Sequence, residues 1–407
     1  MIKVEEPKKV CVIGLGYIGL PTASLLANRS YYVHGVDVRK EVVEMINRAE
    51  KTIAEPGLDT FLKSAIQSKK LHAALEPDHA DIFIIAVPTP FKQDHQPDLS
   101  AVFRGVESIL PYLRNGNRVI LESTSPVGTT EAVYEMMIKE RPDITELYVA
   151  YCPERVLPGH TMKELIQNDR IVGGIIPEAA FRIRDFYTSF VEGEVFTTDA
   201  WTAELSKLAE NAFRDVNIAF ANELSIICDR FGIDVWELIR LANRHPRVNI
   251  LHPGSGVGGH CIAVDPWFII TGAPEEARLM HQARMTNNYK PQWIIANTER
   301  AITDFRKNSG REPVVACMGI TFKPDIDDLR ESPSLYITRE LIKRGHTVLV
   351  VEPNIHHHEE LTFTDTEQAV SQADIILFLL AHKEFKNLTI PLGKKVIDVC
   401  GILAQRD

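Results

Sequence analysis

Long apolar runs are missing from this 407-residue sequence. None approaches the roughly 20 residues that a bilayer-spanning helix needs, so no membrane partner is expected. The first apolar run, Val10 to Ile13, is too short for a signal peptide and leads into a glycine loop. Paired cysteines are missing too. Cys11, Cys152, Cys228, Cys261, Cys317 and Cys400 form no C-x-x-C motif, and several lie in strand-like apolar runs. That usage fits a reduced, cytoplasmic protein rather than a disulfide scaffold. Excess positive charge is the third absence. A formal net charge of −10 argues against a general nucleic-acid or membrane-surface binder, although a small anion needs only local positive charge. Metal-ligand spacing is absent as well: His356-His357-His358 stands in a polar loop with no supporting carboxylate pattern, so no metal is expected. What is present is an ordinary globular composition, 45% hydrophobic and 25% charged, in a chain long enough for two or three domains.

Lys9 to Ile13 reads as a buried strand that runs into Gly14-Leu15-Gly16-Tyr17-Ile18-Gly19 and then a helical pattern. A second strand, Tyr32 to Val36, ends at Asp37. A G-x-G-x-x-G between strand and helix, with an acid about 20 residues beyond, is the dinucleotide fingerprint. The glycines make the turn tight and let a helix N-terminus face a pyrophosphate. Asp37 would accept from a ribose 2′-hydroxyl and repel a 2′-phosphate, which favours NAD over NADP; Arg39 nearby weakens that preference. Gly14, Gly16, Tyr17, Ile18, Gly19 and Asp37 are the cofactor-binding candidates.

Further strands are expected at Ile82–Val87 and Val119–Glu122, each followed by a polar loop. Open α/β sheets bind ligands at the carboxyl ends of their strands. Thr89, in the first loop, and Thr124, in the second, are therefore candidates, with helix capping as the alternative for Thr124. Tyr148 to Tyr151 reads as a last strand, followed by Cys152-Pro153-Glu154-Arg155. Glu154 is a candidate general base, with a solvated loop carboxylate as the alternative. From about Asp199 a helical pattern of roughly 30 residues follows, long enough to link domains and offer a dimer surface. Lys207 and Asn211 are i, i+4 on it and share a face, where together they could hold an oxyanion. An exposed helix surface is the competing reading.

The stretch Gly256-Val257-Gly258-Gly259-His260-Cys261-Ile262-Ala263-Val264-Asp265-Pro266 places a thiol after a glycine loop. If a helix begins at about His260, Cys261 lies in its first turn, where unpaired N–H groups favour thiolate. Asp265, four residues on, would share its face and suit the orientation of water beside a nucleophile. A buried structural cysteine is the alternative.

The last part of the chain repeats the first. Val314–Ile320 and Thr347–Val351 read as strands around a helix at Leu335–Arg344, and Ala373-Asp374-Ile375-Ile376 echoes Ala80-Asp81-Ile82-Phe83. The triple-glycine loop is lacking here. In its place stands Thr321 to Pro333, where Lys323 and Arg330 could grip phosphates. The fold expected is α/β: two Rossmann-like, doubly wound domains joined by a long central helix and an α-helical middle domain. Boundaries are drawn at 1–198, 199–307 and 308–407.

Taken in order, the motifs resemble those of the UDP-glucose/GDP-mannose 6-dehydrogenase family over nearly the full length. They are Gly14–Gly19, Glu122 to Thr129, Cys152 to Arg155, Glu204 to Lys207 with Glu210 to Arg214, Gly258 to Cys261 with Asp265-Pro266, and Phe322 to Asp325 with Asp328 to Ser332. The resemblance implies NAD-dependent, four-electron oxidation of a sugar C6 alcohol to a carboxylate, through a Cys261 thiohemiacetal and thioester. It implies oxyanion stabilisation by Lys207 and Asn211, orientation of water or base chemistry by Asp265, and a water held by Thr124 and Glu154. Arg155, Lys207, Asn211, Arg247, Gly258 and Lys323 are the substrate-binding candidates it suggests, with Arg244 as the alternative to Arg247. Thr89, Thr124 and Arg330 join the cofactor side, although Arg330 could also face substrate. It also implies a homodimer through the central helix, with Arg247 reaching the neighbour's site. Val264, and Arg155-Val156 after Glu154, depart from the UDP-glucose pattern and resemble the N-acetylhexosamine branch. UDP-N-acetyl-D-mannosamine is the substrate suggested first and UDP-N-acetylglucosamine second. A two-electron alcohol dehydrogenase of the 6-phosphogluconate type and a non-enzymatic NAD-binding scaffold are the competing functions.

Overall fold

The computed structural model describes residues 9–92, 94–157, 159–259 and 261–404. The chain forms two compact units that divide between Ala209 and Glu210. In the first unit β1 (Lys9–Ile13), α1 (Gly19–Asn28) and β2 (Tyr32–Val36) are followed by α2 (Lys40–Asn47), α3 (Leu58–Gln67), β3 (Leu71–Ala74) and β4 (Ile82–Ile85). Then come α4 (Ser100–Ile109), β5 (Asn117–Leu121), α5 (Thr129–Glu140), β6 (Leu147–Tyr151), α6 (Thr161–Gln167), β7 (Arg170–Gly174), α7 (Pro177–Tyr187) and β8 (Val195–Asp199). These strands make one eight-stranded sheet in the order β3-β2-β1-β4-β5-β6-β7-β8.

Successive residues of β1 enter different cores. Val10 and Val12 pack with residues of α1, α2 and α3, whereas Cys11 and Ile13 pack with residues of α4 and α5. A strand buried on both faces reads as a continuous apolar run, which is how β1 is written in the sequence. The strand order turns back between β1 and β4, and the glycine turn leaves β1 at that switch point.

Tyr151 does not end the sheet. β7 pairs antiparallel with β6, and β8 then pairs parallel with β7. Their sequences hide them: Arg170-Ile171-Val172-Gly173-Gly174 carries two glycines, and Val195 to Asp199 is a half-exposed strand rich in threonine.

Helix α8 (Ala200–Phe231) is 32 residues long, close to the length expected from the pattern. Asp199 caps it, accepting from the Thr202 N–H at 2.9 Å. The second unit continues with α9 (Val235–Ala242), α10 (Asp265–Gly272) and α11 (Arg278–Ser309). It ends in β9 (Val314–Met318), α12 (Pro333–Lys343), β10 (Thr347–Val351), α13 (Thr366–Gln372), β11 (Ile375–Phe378) and β12 (Lys395–Asp398). The four strands are parallel, in the order β10-β9-β11-β12.

The internal repeat extends to single hydrogen bonds. Gly14 N–H donates to Val36 O and Gly319 N–H to Val351 O, both at 2.8 Å. Asp81 accepts from the Lys9 N–H at the start of β1, and Asp374 accepts from the Val314 N–H at the start of β9. Asp37 accepts from Leu15 N–H, and Glu352 accepts from Ile320 N–H. Among the described residues no helix is long and apolar enough to cross a membrane.

Candidate functional site

In the first unit the glycine turn has the shape its sequence requires. Gly14 has φ +94°, and a Cβ on Gly19 would stand 1.8 Å from the Gly14 carbonyl oxygen. Only glycine closes the strand so tightly onto the helix. A Cβ at Gly16 would meet nothing within 4 Å, so the middle of the turn is open to a ligand. Tyr17 is exposed and Ile18 half-buried beside it. Asp37 is buried at the end of β2. One of its oxygens accepts from Leu15 N–H at 3.2 Å, and the other accepts from the Arg39 N–H at 3.0 Å and Nε at 3.2 Å. The acid is thus fixed against the turn, with Arg39 folded back onto it. Open glycine turn, helix N-terminus and anchored acid fit a bound dinucleotide.

Thr89 and Thr124 lie half-buried in the loops after β4 and β5. Thr124 does not cap the next helix. α5 starts at Thr129, and its first amides are taken by Glu204 of α8, which accepts from Gly128 N–H at 2.6 Å and Thr130 N–H at 2.7 Å. Glu154 is not a solvated loop carboxylate. It is buried, accepts from the Arg155 N–H at 2.8 Å, and lies 2.8 Å from the guanidinium of Arg170. Arg155 is half-buried and its own guanidinium donates to the Asp169 carbonyl at 3.3 Å. Lys207 is half-buried on α8.

In the second unit the motif residues draw together. Cys261 is exposed. Its carbonyl accepts from Val264 N–H at 3.0 Å and Asp265 N–H at 2.8 Å, so one backbone turn joins the two residues. The helix itself begins later than expected. α10 starts at Asp265 with Pro266 in its first turn, where a residue without an N–H is tolerated. Cys261 therefore lies in the turn before the helix and not in its first turn; His260 is outside the described residues. Asp265 is buried, and Asn211 Nδ2 donates to its Oδ2 at 2.6 Å. Arg247 is exposed in the turns after α9.

The glycine loop is seated on the segment that replaces the fingerprint. Gly259 N–H donates to the Arg330 carbonyl at 3.0 Å. A Cβ on Gly258 would stand 2.4 Å from the Glu331 carbonyl oxygen. Lys323 is exposed on this segment, while Arg330 is held by Asp328, with Nη2 donating to Oδ2 at 2.6 Å. A buried network positions the loop from behind. Arg284 Nη1 donates to Asp215 Oδ1 at 2.6 Å, Asn222 Nδ2 donates to Asn287 Oδ1 at 2.9 Å, and Asn222 Oδ1 accepts from Gly254 N–H at 2.9 Å.

Sequence reasoning missed Glu204, Arg170 and this network, because each residue acts through partners far along the chain. Glu204 stood inside a motif, and an acid at that place was the available signal. Among the described residues Asp325, His382 and Glu384 come close enough to suggest a metal. His382 Nδ1, however, already accepts from Asp325 N–H at 3.0 Å and lies 3.0 Å from Asn354 Nδ2, so that lone pair is engaged.

Comparison with known proteins agrees with this geometry. Sequence profiles of the UDP-glucose/GDP-mannose dehydrogenase family match in three parts: the NAD binding domain over residues 8–191, the central domain over 201–289 and the UDP binding domain over 316–405. The chain is 52% identical over 396 residues to a UDP-N-acetyl-D-mannosamine dehydrogenase of Yersinia pestis, covering 93% of this chain and 94% of that protein. It is 50% identical over 415 residues to an NDP-N-acetyl-D-galactosaminuronic acid dehydrogenase of Ralstonia solanacearum, covering 98% and 97%. The solved structure of the UDP-D-ManNAc dehydrogenase of Pyrococcus horikoshii superposes with a TM-score of 0.89 at 37% identity, covering 97% of this chain and 96% of that one. The chain belongs to the UDP-glucose/GDP-mannose dehydrogenase family and is an NAD-dependent nucleotide-sugar dehydrogenase.

Proposed function

We propose that this enzyme oxidises the C6 alcohol of UDP-N-acetyl-D-mannosamine to the carboxylate, with Cys261 carrying the intermediate. The observation that carries the reading is the run of contacts from Cys261 through Asp265 to Asn211: Asp265 N–H to the Cys261 carbonyl at 2.8 Å, and Asn211 Nδ2 to Asp265 Oδ2 at 2.6 Å. It supports a nucleophile and a carboxylate joined by one backbone turn, with the carboxylate anchored. Each of two oxidations delivers a hydride to NAD+, the one chemistry the chain's own side chains cannot supply. An aldehyde has no second hydride to give until a nucleophile adds to it. The Cys261 thiolate adds to the aldehyde carbon, and loss of hydride from the resulting thiohemiacetal leaves a thioester. Water then releases the acid and returns the thiol.

Lys207 and Asn211 stabilise the oxygen that gains charge, Asp265 orients water, and Thr124 and Glu154 hold a water and take up its proton. Gly14, Gly16, Tyr17, Ile18, Gly19, Asp37, Thr89 and Arg330 hold the cofactor. Arg155, Arg247, Gly258 and Lys323 hold the nucleotide-sugar. Residues 1–198 form the NAD-binding domain, 199–307 the central helical domain and 308–407 the UDP-sugar domain. Two chains pair through α8, in the cytoplasm, where thiols stay reduced.

A second substrate has support of its own, because the Ralstonia solanacearum relative is named for an N-acetyl-D-galactosaminuronic acid and matches at nearly the same identity. The deciding experiment counts NADH per limiting sugar nucleotide, with UDP-N-acetylmannosamine, UDP-N-acetylgalactosamine, UDP-N-acetylglucosamine and UDP-glucose in parallel. Two NADH from the mannosamine nucleotide alone is the expected result. One NADH refutes the thioester, and preference for another sugar refutes the substrate. Cys261→Ser should stall after the first oxidation or at a slowly hydrolysed ester, and full turnover to the acid by that variant refutes the covalent role.

A further inference from the structure

Behind Glu154 lies an ionic cluster that belongs to none of the proposed binding or catalytic roles except through Glu154 itself. Glu122 follows β5, Cys152 and Glu154 follow β6, and Arg170 opens β7. The antiparallel pairing of β6 and β7 brings these together. Because β7 runs against β6, its first residue lies at the sheet edge where β5 and β6 end. A strand parallel to β6 would have carried that residue to the opposite edge.

The guanidinium of Arg170 lies 2.8 Å from Glu154 Oε2 and 4.0 Å from Glu122 Oε1, and the three side chains are 4%, 6% and 0% exposed. Tyr187 of α7 donates to Glu122 Oε1 at 2.6 Å, and its ring centroid is 5.0 Å from the guanidinium. The Arg155 N–H donates to the other oxygen of Glu154 at 2.8 Å. One oxygen of Glu154 is therefore held by a hydrogen bond, and the other faces the charge of Arg170 without one.

One cation here faces two carboxyl groups away from water. With both ionised, the cluster carries an uncompensated negative charge, which burial makes costly. One proton removes it. Burial pushes the Glu122 carboxyl up to about 7; Arg170 opposes the rise and Glu154 adds to it. Burial also pushes the Cys152 thiol up to about 12 and raises the Tyr187 phenol, so neither releases a proton near neutrality. Burial opposes the charge on Arg170, but Glu154 and the other anionic neighbours outweigh it and keep the guanidinium protonated.

We propose that Arg170 is a positioning residue that holds Glu154 as an oriented anion for the reaction, while Glu122 carries the exchangeable proton that the two carboxyl groups would otherwise contest. This rests on the role proposed above for Glu154. It assigns the proton to the fully buried carboxyl group and leaves the other to accept one from water.

The test uses the full-length enzyme and two readouts. Glu122→Gln keeps the shape and still accepts from Tyr187, so it should fold. In infrared difference spectra with isotope-labelled glutamate, the parent should show a protonated carboxyl band that fades as pH rises through about 7. The band should be absent from Glu122→Gln, and should move to lower pH in Glu154→Gln, where the repelling charge is gone. In the pH profile of kcat/KM, the acid limb reports protonation of Glu154 beside a neutral partner, so Glu122→Gln, which copies that neutral partner, should leave the limb in place. Arg170→Gln should lose about 10²-fold in kcat with KM little changed, as expected for a misplaced group, and Arg170→Lys should recover part of it. A band that persists in Glu122→Gln, an acid limb that moves in that variant, or an Arg170→Gln variant that loses thermal stability with kcat unchanged overturns the proposal. Full turnover by Glu154→Gln would instead overturn the role of Glu154 on which it rests, and the infrared band separates the two failures.

Discussion

Lys290 is 2% exposed in the interior of α11. Its ammonium donates to Ser225 Oγ and sits 4.2 Å from the centroid of the Trp293 ring. Burial pushes it down from the ordinary lysine value of 10.5 to about 7, with Asp229 opposing. The linkage has a definite sign. Between about 7 and 10.5 the unfolded chain holds a proton here that the folded chain does not, so folding stability rises with pH across that window. Below about 7 both states are protonated, and the folded state bears the full cost of a buried ammonium. Lys290→Met should therefore raise the thermal midpoint most in mildly acidic buffer, with an advantage that shrinks as pH approaches 10.5. A pH series of melting curves checks this, and a constant advantage would show that packing rather than charge sets the difference. The residues legible in sequence were those whose chemistry is local: Cys261 and Asp265 are four apart, and the glycines announce a turn. Lys290, Arg170 and Glu204 were not legible. Glu204 bonds residues 74 and 76 positions away, and no spacing rule links such pairs.

The loop that carries Cys261 is an element with no regular structure of its own, held by what it lies on. Gly258 and Gly259 let its backbone press onto residues 322–333. A methyl group at Gly258 would meet the Glu331 carbonyl oxygen at 2.4 Å and Pro333 Cδ at 2.8 Å, and neither is the free end of a flexible side chain. Gly258→Ala should therefore lift the loop. Turnover should fall by about 10²-fold, since small misplacements of reacting groups cost that much, while the denaturation midpoint of the rest of the protein stays close to that of the parent. Steady-state NADH production beside a urea titration tests the pair of outcomes; unchanged turnover would mean that the loop does not position the thiol. Elements were legible where one signal dominated, as in β1, β2 and α8. They were lost where composition opposed conformation. β7 contains an arginine and two glycines and still forms a strand, because β6 and β8 pair with it on either side.

At the scale of the whole molecule the sequence repeat predicted a second α/β unit, and the hydrogen bonds shared by Gly14 and Gly319 show how deep the repetition runs. The copies differ where ligands are concerned. At the paired glycines themselves a Cβ would clash in both, with the Ala86 carbonyl oxygen at 2.4 Å on Gly14 and with Leu380 Cβ at 2.8 Å on Gly319, and the open position at Gly16 has no glycine counterpart in the second turn. A further whole-molecule feature is an apolar stripe along α8. Phe213, Phe220, Ile227 and Phe231 are 70%, 55%, 42% and 68% exposed. The first three recur every seven residues, and the fourth is four further on, which keeps them along one face of the helix. Ala212, Asp215, Ala219 and Asn222 are buried, so the packed side of the helix is already satisfied. Large aromatic side chains aligned on an exposed helix face mark an interaction surface. A second α8 related by two-fold symmetry would present the same stripe in return. On the pairing proposed through α8, Phe220→Glu should give a monomer in sedimentation velocity without lowering helix content, because it would add a desolvated like-charge pair where two stripes meet, at a side chain that is 55% exposed within the chain. A dimer that survives this change would place the subunit contact elsewhere and leave the stripe for another partner.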